Sequence, residues 1–570
     1  MVFAMEFDLE TLYSQSYFSP LDYFFAIAMR DAFSEKEAIV ITSCALVSKM
    51  VSLGHICLDI DRLAGTKCVL SEETEKHITF PEKAHWLNKL RSSPIVSKNP
   101  ATPLVIDDQK RLYLAKYYDF QLRVSKNIMQ RVRRPFAGNN DKTVNTYIEA
   151  AVRKTGFTLD DAQKKAVNAA LCHPFVVISG GPGTGKTYVT QIIKKILCSM
   201  MPENTEKIPT VLCLAPTGKA ASRMAGGKTI HSVLQPLKKK PGFYHDRKNP
   251  VLADVVIIDE ASMIDMGLMT RLLEAIPLCA KVILLGDTHQ LTSVQAGSIF
   301  SDICDSPDLS THIILLERNF RSDDQQGIHT LSKSIQRGDT DFLEKIMISE
   351  TYPDVRFFDF KEKNLTDLKI KKAILDGYQQ FMHCAESVSA LKHIDRFTIL
   401  CAHNAGEYGT SHFNHVCEKI LRPSGNSDIQ RSPFFRIIMK ITNDYQKGLF
   451  NGDTGVVFEK DGSEWACFKN QDNTPMLYRL SDLSGTAPAF AMTIHKSQGS
   501  EFDEILIILP DKTSPVITRQ LLYTGVTRAR RKVIIAGNMN IIKAAVGSSV
   551  TRNSGLGDAI KNAFKRDESR

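Results

Sequence analysis

Val176-Val177-Ile178-Ser179-Gly180-Gly181-Pro182-Gly183-Thr184-Gly185-Lys186-Thr187 is the stretch on which the reading of this 570-residue chain turns. An apolar run of strand character feeds a glycine-rich turn, and Tyr188 to Met200 continues with helical spacing. The turn fits G-x-x-x-x-G-K-[ST], with Gly180 and Gly185 as the fixed glycines and Lys186 and Thr187 closing it. Such a turn lets the backbone curl around phosphates with its N–H groups pointing inward, and the helix after it adds partial positive charge. Lys186 suits the β- and γ-phosphates, and the Thr187 hydroxyl suits Mg²⁺. The stretch predicts a nucleoside triphosphate site, with Gly180, Gly181, Pro182, Gly183, Thr184, Gly185, Lys186 and Thr187 around the phosphates.

Downstream, Val255-Val256-Ile257-Ile258 is a continuous apolar run ending in Asp259-Glu260. Such a run predicts a strand buried on both faces of a parallel sheet. At its carboxyl end Asp259 suits the Mg²⁺ shell, and Glu260 suits a group that orients or deprotonates an attacking water. Lys281 to Leu285 predicts another strand, leading to Gln290, whose amide could contact a γ-phosphate and report its loss. Arg318 and Arg321 come after a further short strand at Ile313 to Leu316. A second set of strands is predicted from Arg396 onward, without a phosphate loop of its own. Phe434 to Val457 alternates, and through Ser481 this portion reads like a small all-β insertion. Arg528 then makes physical sense as a group reaching across a cleft to the nucleotide, so that hydrolysis opens and closes two domains.

Hydrophobic content of 43% and charged content of 24% are those of an ordinary globular protein, with room for about three or four domains. A net charge of +9 permits an anionic partner without requiring one. The twelve cysteines are scattered singly without a C-x-x-C pair, so neither zinc nor an iron–sulfur cluster is signalled. Met1 to Glu10 lacks the apolar core of a signal peptide, and no apolar run approaches the ~20 residues of a membrane span. A cytoplasmic protein with no membrane contact is expected.

Residues 1–150 carry no catalytic signature. Glu35 to Val51 and Gln109 to Val132 have helical spacing, and their apolar stripes suit either internal core or a docking face for another subunit. Lys126 to Arg134, with Pro135 and Gly138-Asn139-Asn140 after it, reads as a link into the region of the phosphate loop. Gln163 lies on a helix shortly before that loop, and its amide could serve an adenine edge. Lys238 to Lys248 places five basic residues and the adjacent aromatics Phe243 and Tyr244 in one segment. That suits either a nucleic-acid surface or a solvated basic loop.

Taken together, these residues resemble superfamily 1 helicases over roughly 157–537. The likeness is closest to the 1B branch and, within it, to the RecD family, the D subunits of RecBCD helicase–nucleases. It is carried by Asp259 to Asp265, Gly286 to Val294, Gly448 to Asp453, Thr493 to Asp503 and Val526 to Arg531, and outside these by Gly54 to Leu58 and Arg552 to Leu556. The resemblance implies a motor of two RecA-like parallel-sheet domains, at 151–335 and 336–570. The first would carry a short strand-separating insertion near 236–250 and the second an SH3-like β insertion near 435–485. A mostly helical domain at 1–150 would dock on a RecC-like subunit. It implies that Gln163 contacts adenine and that Lys186, Thr187, Asp259 and Glu260 run ATP hydrolysis with Mg²⁺. Gln290, Arg321 and Arg528 would sense or stabilise the γ-phosphate, with Gly499 and Glu501 near the nucleotide. Thr217, Lys219, Thr229, His231, Thr493 and His495 match positions along a single-strand DNA path. The activity implied is ATP-driven 5′-to-3′ unwinding at duplex ends, in a heterotrimer with RecB-like and RecC-like chains. Two departures stand out, Thr292 for an expected Ala or Pro and Phe320 for a Tyr before Arg321. Competing readings are a stand-alone RecD-like helicase, a regulatory DNA-binding ATPase subunit and a small-molecule P-loop kinase. The ~150 residues before the loop are short for the first, and the last accounts for neither Gln290 nor Arg528.

Overall fold

The computed structural model describes residues 4–5, 7–71, 76–134, 141–156, 158–199, 209–237, 240–293, 295–320, 326–349, 351–360, 363–422, 435–444, 446–470, 474–548 and 552–568. Arg321, Lys238, Lys239, Val294, Pro135, Gly138 to Asn140 and Phe434 lie outside the described residues.

Six parallel strands form the first sheet, in the order Lys228–Thr229, Val211–Ala215, Val255–Ile258, Lys281–Gly286, Phe175–Gly180, Ile313–Leu316. Their apolar runs are unbroken because successive side chains enter two different cores. Val177, Val256, Ile258, Val282 and Leu284 face one core, which also takes Phe120, Val124 and Ile128 from the helix Ala115–Val132. Val176, Ile178, Ile257, Ile283 and Leu285 face the other, with Ile192 and Ile193 of the helix Lys186–Ser199. Since the strands are parallel, Gly180, Ile258 and Gly286 all end at one edge, which is where a ligand of such a sheet binds.

The second sheet has five parallel strands in the order Val355–Asp359, Ala529–Gly537, Phe502–Ile508, Phe397–Cys401, Ala491–Thr493. The helix Gln326–Arg337 buries Ile328, Leu331 and Ile335 in the core of this sheet. Between two of its strands, a five-stranded antiparallel sheet runs from Arg436–Lys440 to Thr486–Pro488 over its own small core of Ile438, Leu449, Val457, Ala466, Phe468 and Leu483.

Helices dominate the amino-terminal region, chiefly Pro20–Phe33, Ala38–Ser52, Lys83–Ser92 and Ala115–Val132. Two small sheets complete it, one of three strands and one of four. The helical spacing read from Gln109 holds only from Ala115. Arg111–Leu114 is a strand paired to Leu104–Ile106, and four residues are too few for periodicity to separate the two. The segment read as a link, Lys126 to Arg134, instead continues this helix along Met266–Ala275. Arg131 there is fully buried and donates to the carbonyls of Leu273 (3.2 Å), Ile276 (2.7 Å), Pro277 (2.9 Å) and Ala280 (2.8 Å), and to Asn127 Oδ1 (2.8 Å). It thereby satisfies the orphan carbonyls that end Met266–Ala275 and adds the positive charge that a helix end favours. Leu273 keeps Asn127 Nδ2 and Pro277 keeps the Ala280 N–H. Arg131→Met is therefore expected to leave the Ile276 and Ala280 carbonyls dry and unpaired and to lower unfolding free energy by about 3 kcal/mol. An unchanged denaturation midpoint would count against this clamp.

The carboxyl-terminal helix Leu556–Glu568 returns to the first unit, with Leu556 and Ile560 in the same core as Phe120 and Ile128. Arg111 ties it down through Asp558 (2.8 Å) and the Ser554 carbonyl (3.2 Å). No helix among the described residues is long and apolar enough to cross a membrane.

Candidate nucleotide site between the two sheets

A cleft of about 480 Å³ opens where the carboxyl edge of the first sheet meets the second. From the first come Gly181, Pro182, Gly183, Gly185, Lys186 and Thr187, with Asp259, Glu260, Gln290 and Arg223; from the second come Glu501, Arg528 and Arg530. Lys186 and Arg528 therefore line one cavity.

Lys186 Nζ donates to the carbonyl oxygens of Gly181 (3.0 Å) and Gly180, and the Thr184 hydroxyl donates to the Gly181 carbonyl (2.8 Å). Gly185 adopts φ +83°, and a Cβ there would lie 2.5 Å from Gln163 Nε2. That contact places Gln163 against the back of the loop. Asp160 caps the helix, so Gln163 folds back in a reciprocal box. Its Oε1 accepts from Asp160 N–H (3.2 Å), and its Nε2 donates to the Thr184 carbonyl (3.1 Å). With 3% of its surface exposed and both amide ends bonded to backbone, Gln163 braces the loop rather than lining the cleft. Gly180 and Thr184 likewise face a second cavity beside Asp287, Leu316 and Tyr523. Gly499, at φ +73°, packs against Ala220 and Thr217, where a Cβ would lie 3.4 Å from both.

Glu260 sits in the left-handed region, φ +52° and ψ +40°, a conformation side chains rarely adopt and one found where geometry serves a site. It continues from a strand whose end also carries Asp259, and its N–H donates to Asp259 Oδ1 (2.9 Å). Burial, then the neighbouring Glu260, push the Asp259 carboxyl up to about 6, against the pull of Lys186. Since that value lies above the unfolded carboxylate value, Asp259 is a stability cost that grows as pH rises through about 4 to 6 and is complete above 6. Asp259→Asn is expected to raise unfolding free energy by about 1–3 kcal/mol at pH 7.5 without divalent metal, with the gain shrinking toward pH 4. Thermal unfolding at the two pH values checks it; equal gains at both would refute the assignment.

The two sheets are joined at the loop after Gly286. Asp287 Oδ2 accepts from Gln290 Nε2 (3.1 Å) and from the Tyr523 hydroxyl (3.1 Å). Leu291 N–H donates to Thr524 Oγ1 (2.8 Å), and Gln498 Nε2 donates to the Leu291 carbonyl (3.0 Å). Arg528 is 2% exposed; its Nε donates to the Thr524 carbonyl and its Nη1 to that of Ser500, both at 3.1 Å. Burial lowers its proton affinity, while Glu260 and then Glu501 act against that, and a guanidinium stays charged throughout. Two of its five N–H groups are engaged by these carbonyls. Arg530 sits on the same rim, 3.3 Å from Glu501. Sequence reasoning misses Asp287, Tyr523, Arg223 and Arg530 as individual residues. Asp287 lies inside the motif Gly286 to Val294, whereas Arg223 ends the short helix Gly218–Ser222 and carries no local signal.

The candidate DNA contacts fall on both units. Thr217 and Thr229 cap short helices, accepting from Ala220 N–H (3.2 Å) and Ser232 N–H (3.1 Å). Lys219 and Thr229 line a cavity of about 490 Å³ that reaches Phe450 and Asp453 of the β insertion. Lys219 Nζ lies 3.8 Å from Asp395 and 5.4 Å from the centre of the Phe502 ring. Thr493 is buried and faces a different cavity with Asn404, His415 and Lys496. His231 and His495 line neither. In the basic segment Phe243 bridges to Pro236 and packs inward under Arg271, while Tyr244 is 56% exposed.

Residues 14–113 match the family "RecBCD enzyme subunit RecD, N-terminal domain", 158–357 "AAA domain" and 488–536 "UvrD-like helicase C-terminal domain". The RecBCD enzyme subunit RecD of Mycobacterium tuberculosis is 31% identical over 559 residues, spanning 92% of this chain and 91% of that protein. The ATP-dependent RecD2 DNA helicase of Deinococcus radiodurans is 28% identical over 460 residues, 78% of this chain and 58% of that one. Among solved structures, a Bacteroides Pif1 helicase in complex with ADP-AlF3 and single-stranded DNA is 18% identical with a TM-score of 0.42, covering 72% of this chain and 98% of that chain.

Proposed function

We propose a working cycle from one premise: this chain belongs to the RecD family of RecBCD enzyme subunits. It is an ATP-dependent DNA helicase of the RecD type. In our reading it acts in the cytoplasm with RecB-like and RecC-like chains, moving 5′ to 3′ on one strand of a broken duplex end. The observation that carries the cycle is the single cleft lined by Lys186 from one sheet and Arg528 from the other.

The triphosphate of ATP would lie along the loop from Gly181 to Thr187, its charge met by inward N–H groups and the Lys186 ammonium. The Thr187 hydroxyl and the Asp259 carboxylate share the cleft and form an oxygen donor set that fits Mg²⁺, and Asp259 is a buried carboxyl whose ionised form a cation would favour. Mg²⁺ held there would neutralise charge on the β- and γ-phosphates. Glu260 would orient the attacking water, and Gln290 would read the γ-phosphate through the same amide that reaches Asp287. Arg528 would stabilise charge developing on the transferred group. Loss of the γ-phosphate removes the anion that draws Arg528 and Lys186 together, so the two sheets part, and alternate gripping of the strand results.

The test is strand displacement by the complex with RecB-like and RecC-like chains, on a duplex with a 5′ single-stranded tail. ATP-dependent unwinding, lost in Lys186→Gln, is expected. ATP hydrolysis and DNA binding without unwinding would favour a regulatory subunit instead.

A further inference from the structure

Two stretches that have no part in the cleft, Gly54-His55-Ile56-Cys57-Leu58 and Arg552-Asn553-Ser554-Gly555-Leu556, are brought together by the fold. Asn553 N–H donates to His55 Nδ1 (2.8 Å), and Ile56 N–H donates to the Asn553 carbonyl (3.1 Å). A third segment completes the junction, and it is the continuation of the loop that carries Gln290. Arg552 Nη1 donates to the carbonyls of Gln295 (3.0 Å) and Gly297 (2.9 Å), while Gly297 N–H donates to the Gly54 carbonyl (3.0 Å). The Arg552 guanidinium lies against the Gly54 backbone. A Cβ there would come within 2.7 Å of Arg552 Cζ, and Gly54 has φ +92°. The Ser293 hydroxyl donates to the same two carbonyls, at 2.8 and 3.3 Å, so the loop is drawn closed from within and from without.

Two residues before Ser293, Leu291 is held by Thr524 and Gln498, and Thr524 in turn holds Arg528. An unbroken run of contacts therefore leads from the amino-terminal domain through Arg552 to both sides of the nucleotide cleft. His495, on a candidate DNA-path segment, also feels this corner, since burial and then the Arg552 charge push its imidazole below the usual value.

We propose that Arg552 is a positioning residue that fixes the register of the loop carrying Gln290, Leu291, Gln295 and Gly297, and so couples the amino-terminal domain to ATP turnover. The inference rests on the reading of the cleft as an ATPase. Its physical basis is that the two carbonyls draw on one charged donor held rigidly by three chain segments. Without it the loop can slide, and displacement of about 1 Å at a catalytic group costs up to about a hundredfold in rate. A partner bound on the amino-terminal domain could shift Gly54 and His55 and would be felt at Gln290 by the same route.

The full chain is compared as wild type, Arg552→Ala, Arg552→Lys, Gly54→Ala and the Gly54→Ala/Arg552→Ala double variant. Steady-state ATP hydrolysis with saturating single-stranded DNA and amide hydrogen exchange over 288–297 are measured well below the melting temperature. Arg552→Ala is expected to lower kcat about tenfold, with the KM for ATP within about twofold, and to speed exchange at Leu291 and Gly297. Arg552→Lys should recover part of both, and the double variant should be no worse than the worse single one. Unchanged kcat and exchange in Arg552→Ala, or a double variant whose losses multiply, would overturn the proposal. A wild-type chain that fails to hydrolyse ATP would instead sink the reading of the cleft, and exchange at Leu291 and Gly297 would still decide whether Arg552 holds the loop.

Discussion

Replacing Arg528 with lysine is expected to cut ATP turnover by about 10³–10⁵-fold while ATP affinity stays within about threefold. The charge survives this change, but the fork does not. Arg528 grips the carbonyls of Thr524 and Ser500 with two N–H groups, and its remaining donors are available to the cleft. A lysine ammonium is a compact point that serves one direction at a time. Because Thr524 also holds Leu291, the substitution loosens the contact through which the second sheet moves with the first. Nucleotide titration and steady-state hydrolysis, measured on the same preparation, separate the two effects. Turnover within tenfold of wild type would place the decisive cation elsewhere, with Arg223 and Arg530 the alternatives on the rim.

Glu260→Gln is expected to lower turnover by about 10²–10⁴-fold, again with nucleotide binding retained, because the amide keeps the shape but cannot take a proton. Its left-handed backbone supplies a companion test. Glu260→Gly should relieve the φ of +52° and raise unfolding free energy by about 1 kcal/mol while turnover stays lost. Stability and activity moving in opposite directions would mark the strain as serving the site. If both fell together, the conformation would be an accident of the turn.

What is legible in the sequence is local. The phosphate loop and the Asp259-Glu260 pair each lie at the end of an apolar strand, and strand, turn and helix are written in neighbouring residues. What is not legible depends on contacts between distant residues or on competition for one side chain. Gln163 suits a base edge by residue type, but Asp160 three residues earlier claims it for a helix cap. Arg131 reads as one of a cluster of linker cations, because the carbonyls it satisfies lie on another helix. Asp287, Gly54 and Arg552 lie in stretches that carry the family likeness, but that Asp287 meets Tyr523 and Gly54 meets Arg552 is not written locally, since the partners are far apart along the chain. Lys219 suits phosphate contact by residue type, yet its nearest charge is Asp395 of the second unit.

The return of the carboxyl-terminal helix onto Ala115–Val132 has a mechanical consequence. The second sheet is leashed to the first body at both its entry, before Gln326–Arg337, and its exit, through Arg552 to Leu556. A body held at two separated points swings like a gate about the line joining them, and it cannot drift freely. Two such attachments leave fewer directions for the second sheet to part from the first than one would. Breaking the chain before Arg552 would leave a single attachment and turn the gate into a pendulum.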